Sequence, residues 1–344
     1  MARRSGLFRG LAALVFGLLL AVGGAASQAQ ARWLRAETRH FVLYSDGTEA
    51  NLRRYAADLE DFDALLRSVH GLDTAAAPAR KLDIYLVAGP RDLSRVLPGA
   101  SQSVAGLYRA NLGDIYAVAV RGDAGTGQGQ RFLFHEYVHH FMLQNFAAAY
   151  PAWLVEGYAE YFGATRIEPD RIEIGVAPPG RARNLANLPW LPLTTIAGLA
   201  PPRAQTRGAQ PVMAMYYAQS WLLTHYLLSD PARKARLNAY LLAVGRGEDP
   251  TAALETALGM DLSSAEKALK AYFHATPGIR YPRAGRPEVA LAVTVLPPSA
   301  DALLLEAQRL KSGVPAVERA GFLALIRERA ARFPDDGLAQ LTLA

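Results

Sequence analysis

Cysteine is absent from this chain of 344 residues, and that one absence removes several chemistries. A disulfide framework, a thiol nucleophile, an iron–sulfur cluster and a cysteine-based zinc finger are all excluded. A lipid anchor at a cleaved N-terminus is excluded too, because it needs a cysteine at the cleavage point. Lysine is scarce, five of 37 basic residues against 31 acidic ones. Such an arginine bias reflects a GC-rich genome more than a nucleic-acid partner. Also lacking is an apolar run of the roughly 20 residues that cross a bilayer as a helix. What the chain does have is 51% hydrophobic residues, enough to bury a core and to exclude wholesale disorder. Its length allows one large domain or two ordinary ones.

The first 31 residues read as an export signal. Arg3, Arg4 and Arg9 form a basic start, Leu11 to Val22 is apolar, and small residues lead to Ala29-Gln30-Ala31, an A-x-A cleavage pattern. The mature chain is then expected to begin at Arg32, in the periplasm or outside the cell, with no integral membrane span. Losing the three arginines takes the formal net charge from +6 to +3. No basic patch remains that would call for nucleic acid or an anionic membrane.

The rest reads as α+β, a small sheet followed by helices. Strands are expected at 40–45 (HFVLYS) and 82–87 (LDIYLV), with a hairpin joining 104–108 to 115–120. Apolar residues at helical spacing predict a helix over 48–69, and a Gly-rich loop at 122–129 leads into an apolar helix over 130–146. Tyr150-Pro151 breaks that helix, and a second follows over 152–162. A short hairpin at 166–174 and a Pro-rich loop precede mostly helical sequence from 211 to 273. The organisation expected is a catalytic domain over 32–277, a Pro/Gly-rich linker over 278–298 and a helical tail over 299–344. The tail has the spacing of tetratricopeptide repeats but only about one and a half units, too few to stand alone. It must pack on the main domain or on a protein partner.

Chemistry is concentrated in His135-Glu136-Tyr137-Val138-His139, an H-E-x-x-H motif on the 130–146 helix. Residues four apart lie one turn away on the same helical face, so both imidazoles reach one ion. Glu136 is rotated by roughly 100° from His135 and serves instead as a base. Zinc lowers the pKa of a water it binds to roughly 7, so hydroxide is available at neutral pH. A catalytic zinc needs a third protein ligand, and the next helix offers Glu156 and Glu160, four apart on one face. Glu156 is the candidate ligand, and Glu160 is placed to reach an imidazole N–H and fix its tautomer. Gly157 is expected to let these two helices pack closely. His140 is expected to turn away from the metal face.

HEYVHH followed by PAWLVEGYAEYF resembles the gluzincin zinc metallopeptidases, a group that includes thermolysin-like and aminopeptidase N-like enzymes. The W-L-x-E-G-x-A segment is most similar to the aminopeptidase N branch. The resemblance covers residues 132–162 and implies a zincin-like catalytic domain of small mixed sheet and active-site helix. It implies His135, His139 and Glu156 as zinc ligands, Glu136 as general base and a peptide or protein as substrate. It also implies a strand beside the site that pairs with extended substrate, for which 115–120 is the candidate. Family aminopeptidases carry G-x-M-E-N ahead of the zinc helix; here the stretch is Gly113-Asp114-Ile115-Tyr116-Ala117-Val118, so an endopeptidase is favoured. Glu160 stands where thermolysin-like enzymes place an Asp. Aminopeptidase N-like enzymes also carry an oxyanion-binding Tyr some sixty residues past the third ligand, which points to Tyr217, with Tyr216 and His225 as alternatives. The competing reading is an inactive zincin-like binding module working through its tail. Hydrolysis of a non-peptide amide would use the same site.

Overall fold

The computed structural model describes residues 33–100, 104–111, 114–122, 127–146, 150–198, 200–202, 209–274, 276, 278–282 and 289–344. The leader read in 1–31 lies outside them. In chain order the first elements are β1 (Leu34–Glu37), β2 (Phe41–Ser45), α1 (Glu49–Val69), β3 (Leu82–Val87), α2 (Pro90–Val96), β4 (Gly106–Ala110) and β5 (Ile115–Val120). Then come α3 (Gln128–Asn145), α4 (Ala152–Gly163), β6 (Arg166–Ile167), β7 (Arg171–Ile174), α5 (Pro179–Asn187) and α6 (Leu193–Ile196). The chain continues through α7 (Ala209–Leu228), α8 (Pro231–Gly245), α9 (Pro250–Leu258), α10 (Leu262–Phe273), β8 (Ile279–Pro282) and β9 (Ala292–Val295). It closes with α11 (Ala300–Ser312), α12 (Ala316–Ala330) and α13 (Gly337–Leu343). The class is α+β, a six-stranded mixed sheet followed by a helical C-terminal part.

The strand order is β4-β5-β3-β2-β1-β9. The pairs β2–β3 and β3–β5 are parallel, and the other three are antiparallel. Side chains alternate across a strand, and β3 divides accordingly. Leu82, Ile84 and Leu86 enter a core shared with α1 and α3, while Tyr85 and Val87 enter a second cluster on the opposite face. In β5, Ala117 and Ala119 point into the first core and Tyr116 and Val118 into the second. Both faces are therefore covered, and apart from Asp83 these two strands are apolar, as buried central strands are.

The second face is closed by α2 and by α11 of the tail, through Ala300, Leu304 and Leu305. Buried polar contacts add direction to that packing. The Tyr85 hydroxyl donates to Gln308 Oε1 at 2.9 Å, and Gln308 Nε2 donates to Asp114 at 2.6 Å. Glu306 is clamped by Arg95 and Arg329 at 2.8 and 2.6 Å. A third cluster of Leu303, Phe322, Ile326, Ala330 and Ala339 holds α11, α12 and α13 together. Within the stretch read as a linker, the described residues contribute two strands. β8 joins β6 and β7 in a three-stranded sheet, and β9 pairs with β1 at the edge of the main one.

Local rules explain the helix that backs the site. Thr48 caps α1 by accepting from the Asn51 amide at 3.3 Å, and Gly71, at φ +67°, follows its C-terminus. α3 begins after Gly127, whose φ of +64° is a left-handed conformation that glycine adopts without steric cost. Phe62 of α1 stacks on Phe134 of α3 with centroids 3.9 Å apart. That contact fixes α3 beneath the sheet and turns its opposite flank toward α4.

Candidate metal centre

The helices α3 and α4 bring three donor atoms together. His135 Nε2 and His139 Nε2 are 3.2 Å apart, and Glu156 Oε2 lies 3.5 Å from the first and 3.8 Å from the second. Tetrahedral coordination with bonds of about 2.0–2.2 Å needs neighbouring donors roughly 3.3–3.6 Å apart, and the three separations, 3.2, 3.5 and 3.8 Å, lie close to that range. Glu156 Oε2 is also buried without a hydrogen-bond partner among the described residues. A buried carboxylate oxygen left in that state costs several kcal/mol, and a cation is the partner this geometry offers. The group can therefore hold a metal ion.

Two glycines set the helix spacing, and they divide the work differently from the sequence expectation. Gly157 does not face α3: a Cβ there would lie 2.2 Å from Thr224 Oγ1 and 2.3 Å from the Ser220 carbonyl oxygen of α7. It is Gly163 that meets α3, with an added Cβ 3.1 Å from the His135 backbone. Gly163 stands seven residues, two turns, beyond Glu156 and so shares its face.

Around the donors sits a ring of charge. Glu160 Oε1 is 3.5 Å from His135 Nδ1 and accepts from Arg181 of α5 at 2.6 Å. Burial opposes ionisation of Glu160, but Arg181 and His135 hold its pKa below the usual value. Burial would also discharge His135, but Glu156, Glu160 and Glu136 outweigh it and raise its pKa to about 9. His139 goes the other way, to about 4, through burial and the neighbouring His135. A metal must displace the His135 proton, so its uptake is pH-dependent.

Glu136 is buried beside the donors but is not one of them. Burial, with the Glu156 and Glu160 carboxylates, lifts it to about 7 against the pull of His135 and the Tyr108 backbone amide. It lies under β4, where a Cβ added at Gly106 would sit 2.5 Å from Glu136 Oε1. β4 is the edge strand on this side. β5, the strand expected to meet substrate, is paired on both sides and cannot add another. A cavity of about 280 Å³ opens here, lined by Gly106, Arg131, His135, Glu136, Arg181 and Tyr217 among others.

The three candidate donors on α7 separate. Tyr217 lines this cavity, with the Arg181 guanidinium 4.9 Å from its ring centre. Burial and the Glu156 charge raise the pKa of its phenol and keep it protonated. Tyr216 is buried in the core, and His225 Nδ1 pairs with the Tyr272 hydroxyl at 2.7 Å. His140 is turned from the donors, its Nδ1 3.1 Å from the Tyr108 hydroxyl. A larger cavity of about 990 Å³ lies beside His40, Glu60 and Lys81, none of which belongs to the donor group.

Arg181 is the site residue that sequence reasoning missed. It follows Pro178-Pro179-Gly180, 21 residues after the carboxylate it grips, and no local periodicity ties the two. No protein-family model matches the chain, and no curated protein sequence matches it.

Proposed function

We propose that this chain is an exported, zinc-dependent peptidase that cuts peptide bonds within a chain. The observation that carries the reading is the trio His135, His139 and Glu156 at 3.2–3.8 Å, with Glu156 Oε2 buried and without a hydrogen bond among the described residues and a separate buried carboxylate, Glu136, alongside. A donor set of two imidazoles and one carboxylate suits zinc among the common divalent ions. Zinc held there would supply a Lewis acid and lower the pKa of a water it binds.

The remaining roles fall to the chain's own residues. Glu136, lifted to about 7, is matched to taking a proton near neutral pH. It accepts that proton as the water oxygen bonds to the carbonyl carbon, then hands it to the nitrogen as the C–N bond breaks. Tyr217, on the cavity wall, donates to the carbonyl oxygen as charge develops there. Glu160, gripped by Arg181, orients the His135 ring. β4 is the edge strand beside the site, and apart from the Tyr108 amide that serves Glu136 its outer edge is where an extended peptide would add.

Glu136→Gln tests the reading. It should abolish hydrolysis of a peptide library by the zinc-loaded chain while bound zinc stays near one per molecule. A wild-type chain that binds zinc but cuts nothing would favour the inactive binding module, working through the tail that α11 to α13 form.

A further inference from the structure

The face of α3 that carries His135 and His139 begins one turn earlier with Arg131, so the three residues at i, i+4 and i+8 form one stripe. Arg131 differs from Arg181, the other arginine lining the site's cavity. Glu160 is satisfied by Arg181 at 2.6 Å. The Arg131 guanidinium, by contrast, is half-buried and makes no hydrogen bond or ion pair among the described residues; its nearest ring contact is the face of Phe132 at 5.7 Å. Burial alone drags its pKa below the ordinary value, with Arg181 adding repulsion and Glu160 the only opposing charge. The guanidinium faces two cavities with no side chain among the described residues engaging it, so it is free to take an anion.

The space around it agrees. Arg131 and Gly163 line the 280 Å³ cavity and also an adjoining one of about 510 Å³. That second cavity has Arg131, Arg166 and Arg183 on its walls and no acidic residue among those lining it. Thr165, buried and on the same wall, has an Oγ1 with no hydrogen-bond partner among the described residues. α3 and α5 both start at this cavity, from Gly127 and Pro178, without a side-chain cap, which adds positive potential.

We propose that the site selects peptides bearing a carboxylate beside the scissile bond, and that Arg131 is the specificity residue that binds it. The inference rests on the peptidase reading for the identity of the ligand. For a cut within a chain the carboxylate is an Asp or Glu side chain; a guanidinium takes a free C-terminus in the same two-pronged way, and a gap confined to that pair would instead mark a carboxypeptidase.

The test separates binding from cutting. Fluorescein-labelled peptides differing only in Glu against Gln near the cut, or in a free against an amidated C-terminus, are titrated into the zinc-loaded E136Q chain. A charge-assisted contact predicts about 10- to 100-fold tighter binding of one acidic member over its neutral twin. The pair that shows the gap names the carboxylate. Adding R131Q should bring the twins to equal affinity, and R131K, which keeps the charge but loses the fork, should retain part of the gap. Raising salt from 0.05 to 0.5 M should narrow it in the R131-intact chain, a readout that needs no change at Arg131. Equal binding of all twins by the E136Q chain overturns the proposal, as does a gap that survives R131Q. An Arg131-dependent gap in a chain whose wild type cuts none of these peptides would leave the Arg131 assignment standing and sink the peptidase reading.

Discussion

Gly106→Ala separates the position of Glu136 from the stability of the fold. The Gly106 backbone is in a region any residue adopts, so alanine brings no strain there. Its Cβ would lie 2.5 Å from Glu136 Oε1, 2.8 Å from Cγ and 3.0 Å from Cδ. Ordinary carbon contacts start at about 3.5 Å, so the carboxylate arm must retreat by roughly 1 Å. The arm is a flexible side chain, and its displacement costs about 0.5–1.5 kcal/mol in rotamer strain. Losing a glycine from a strand returns about 0.5–1 kcal/mol. The net change stays within about 1 kcal/mol, which moves Tm by no more than roughly 4 °C in a chain of this size. A reacting group misplaced by 1 Å, in contrast, loses about 100-fold in rate. The assay is kcat on a cleaved peptide, with zinc per chain and a thermal melt on the same sample. The account expects kcat down about 10- to 100-fold with metal and Tm unchanged. Unaltered kcat would refute the placing of Glu136 under β4, and a large fall in Tm would refute the packing argument.

Three further perturbations address the supporting structure. Gly157→Ala places a Cβ 2.3 Å from the Ser220 carbonyl oxygen, and backbone cannot yield as a side chain does. α4 and α7 should be forced apart at a cost of about 1–3 kcal/mol, read as a lower urea midpoint with weaker zinc retention because α4 carries Glu156. Arg181→Gln leaves the buried Glu160 carboxylate without its 2.6 Å partner. The loss should be about 3–5 kcal/mol in chemical denaturation, and a variant as stable as wild type would remove Arg181 from the site's support. His40→Gln should show a pH signature. Burial alone would lower the His40 pKa, but Glu60 at 2.6 Å, the Ala76 carbonyl and Asp63 raise it above 6.5. Burial would likewise raise Glu60, which His40 and Thr38 instead hold below 4.5. The histidine's stabilisation is complete below pH 6.5 and fades as pH rises through its folded pKa; the carboxylate's is complete above pH 4.5 and fades as pH falls through its own. The Tm gap between wild type and variant should therefore be widest between pH 4.5 and 6.5, and a gap independent of pH would contradict the pair.

Much of the site was legible in the sequence because it is written in helical period. His135, His139, Glu156 and Glu160 follow the four-residue spacing of one helix face, and the structure brings all four to one place. The Gly163 contact is encoded in the same period, seven residues past Glu156, whereas Gly157 lies next to Glu156 in sequence but on the face toward α7. Which strand of the hairpin lies outermost was harder. β5 is apolar on both faces and largely buried, whereas no residue of β4 is fully buried, a difference that marks β5 as interior. β1 and β9 are hard to read from sequence for another reason. LRAE and AVTV are four residues long, too short to show a period, and although β1 forms a hairpin with β2, the partner of β9 lies most of the chain away. Arg181 was hidden in the same way, its meaning lying wholly in Glu160.

The central claim is that His135, His139 and Glu156 hold one zinc ion. Its most direct test is bound zinc per molecule, measured by elemental mass spectrometry on the chain from Arg32, folded with zinc and then freed of excess. The account predicts about one zinc per wild-type chain, about one in Glu136→Gln, and a loss to near zero in His139→Gln and Glu156→Gln chains that still melt cooperatively. Wild-type protein that takes up no zinc, or a Glu156→Gln chain that holds it as tightly as before, would contradict the ligand set and the function built on it.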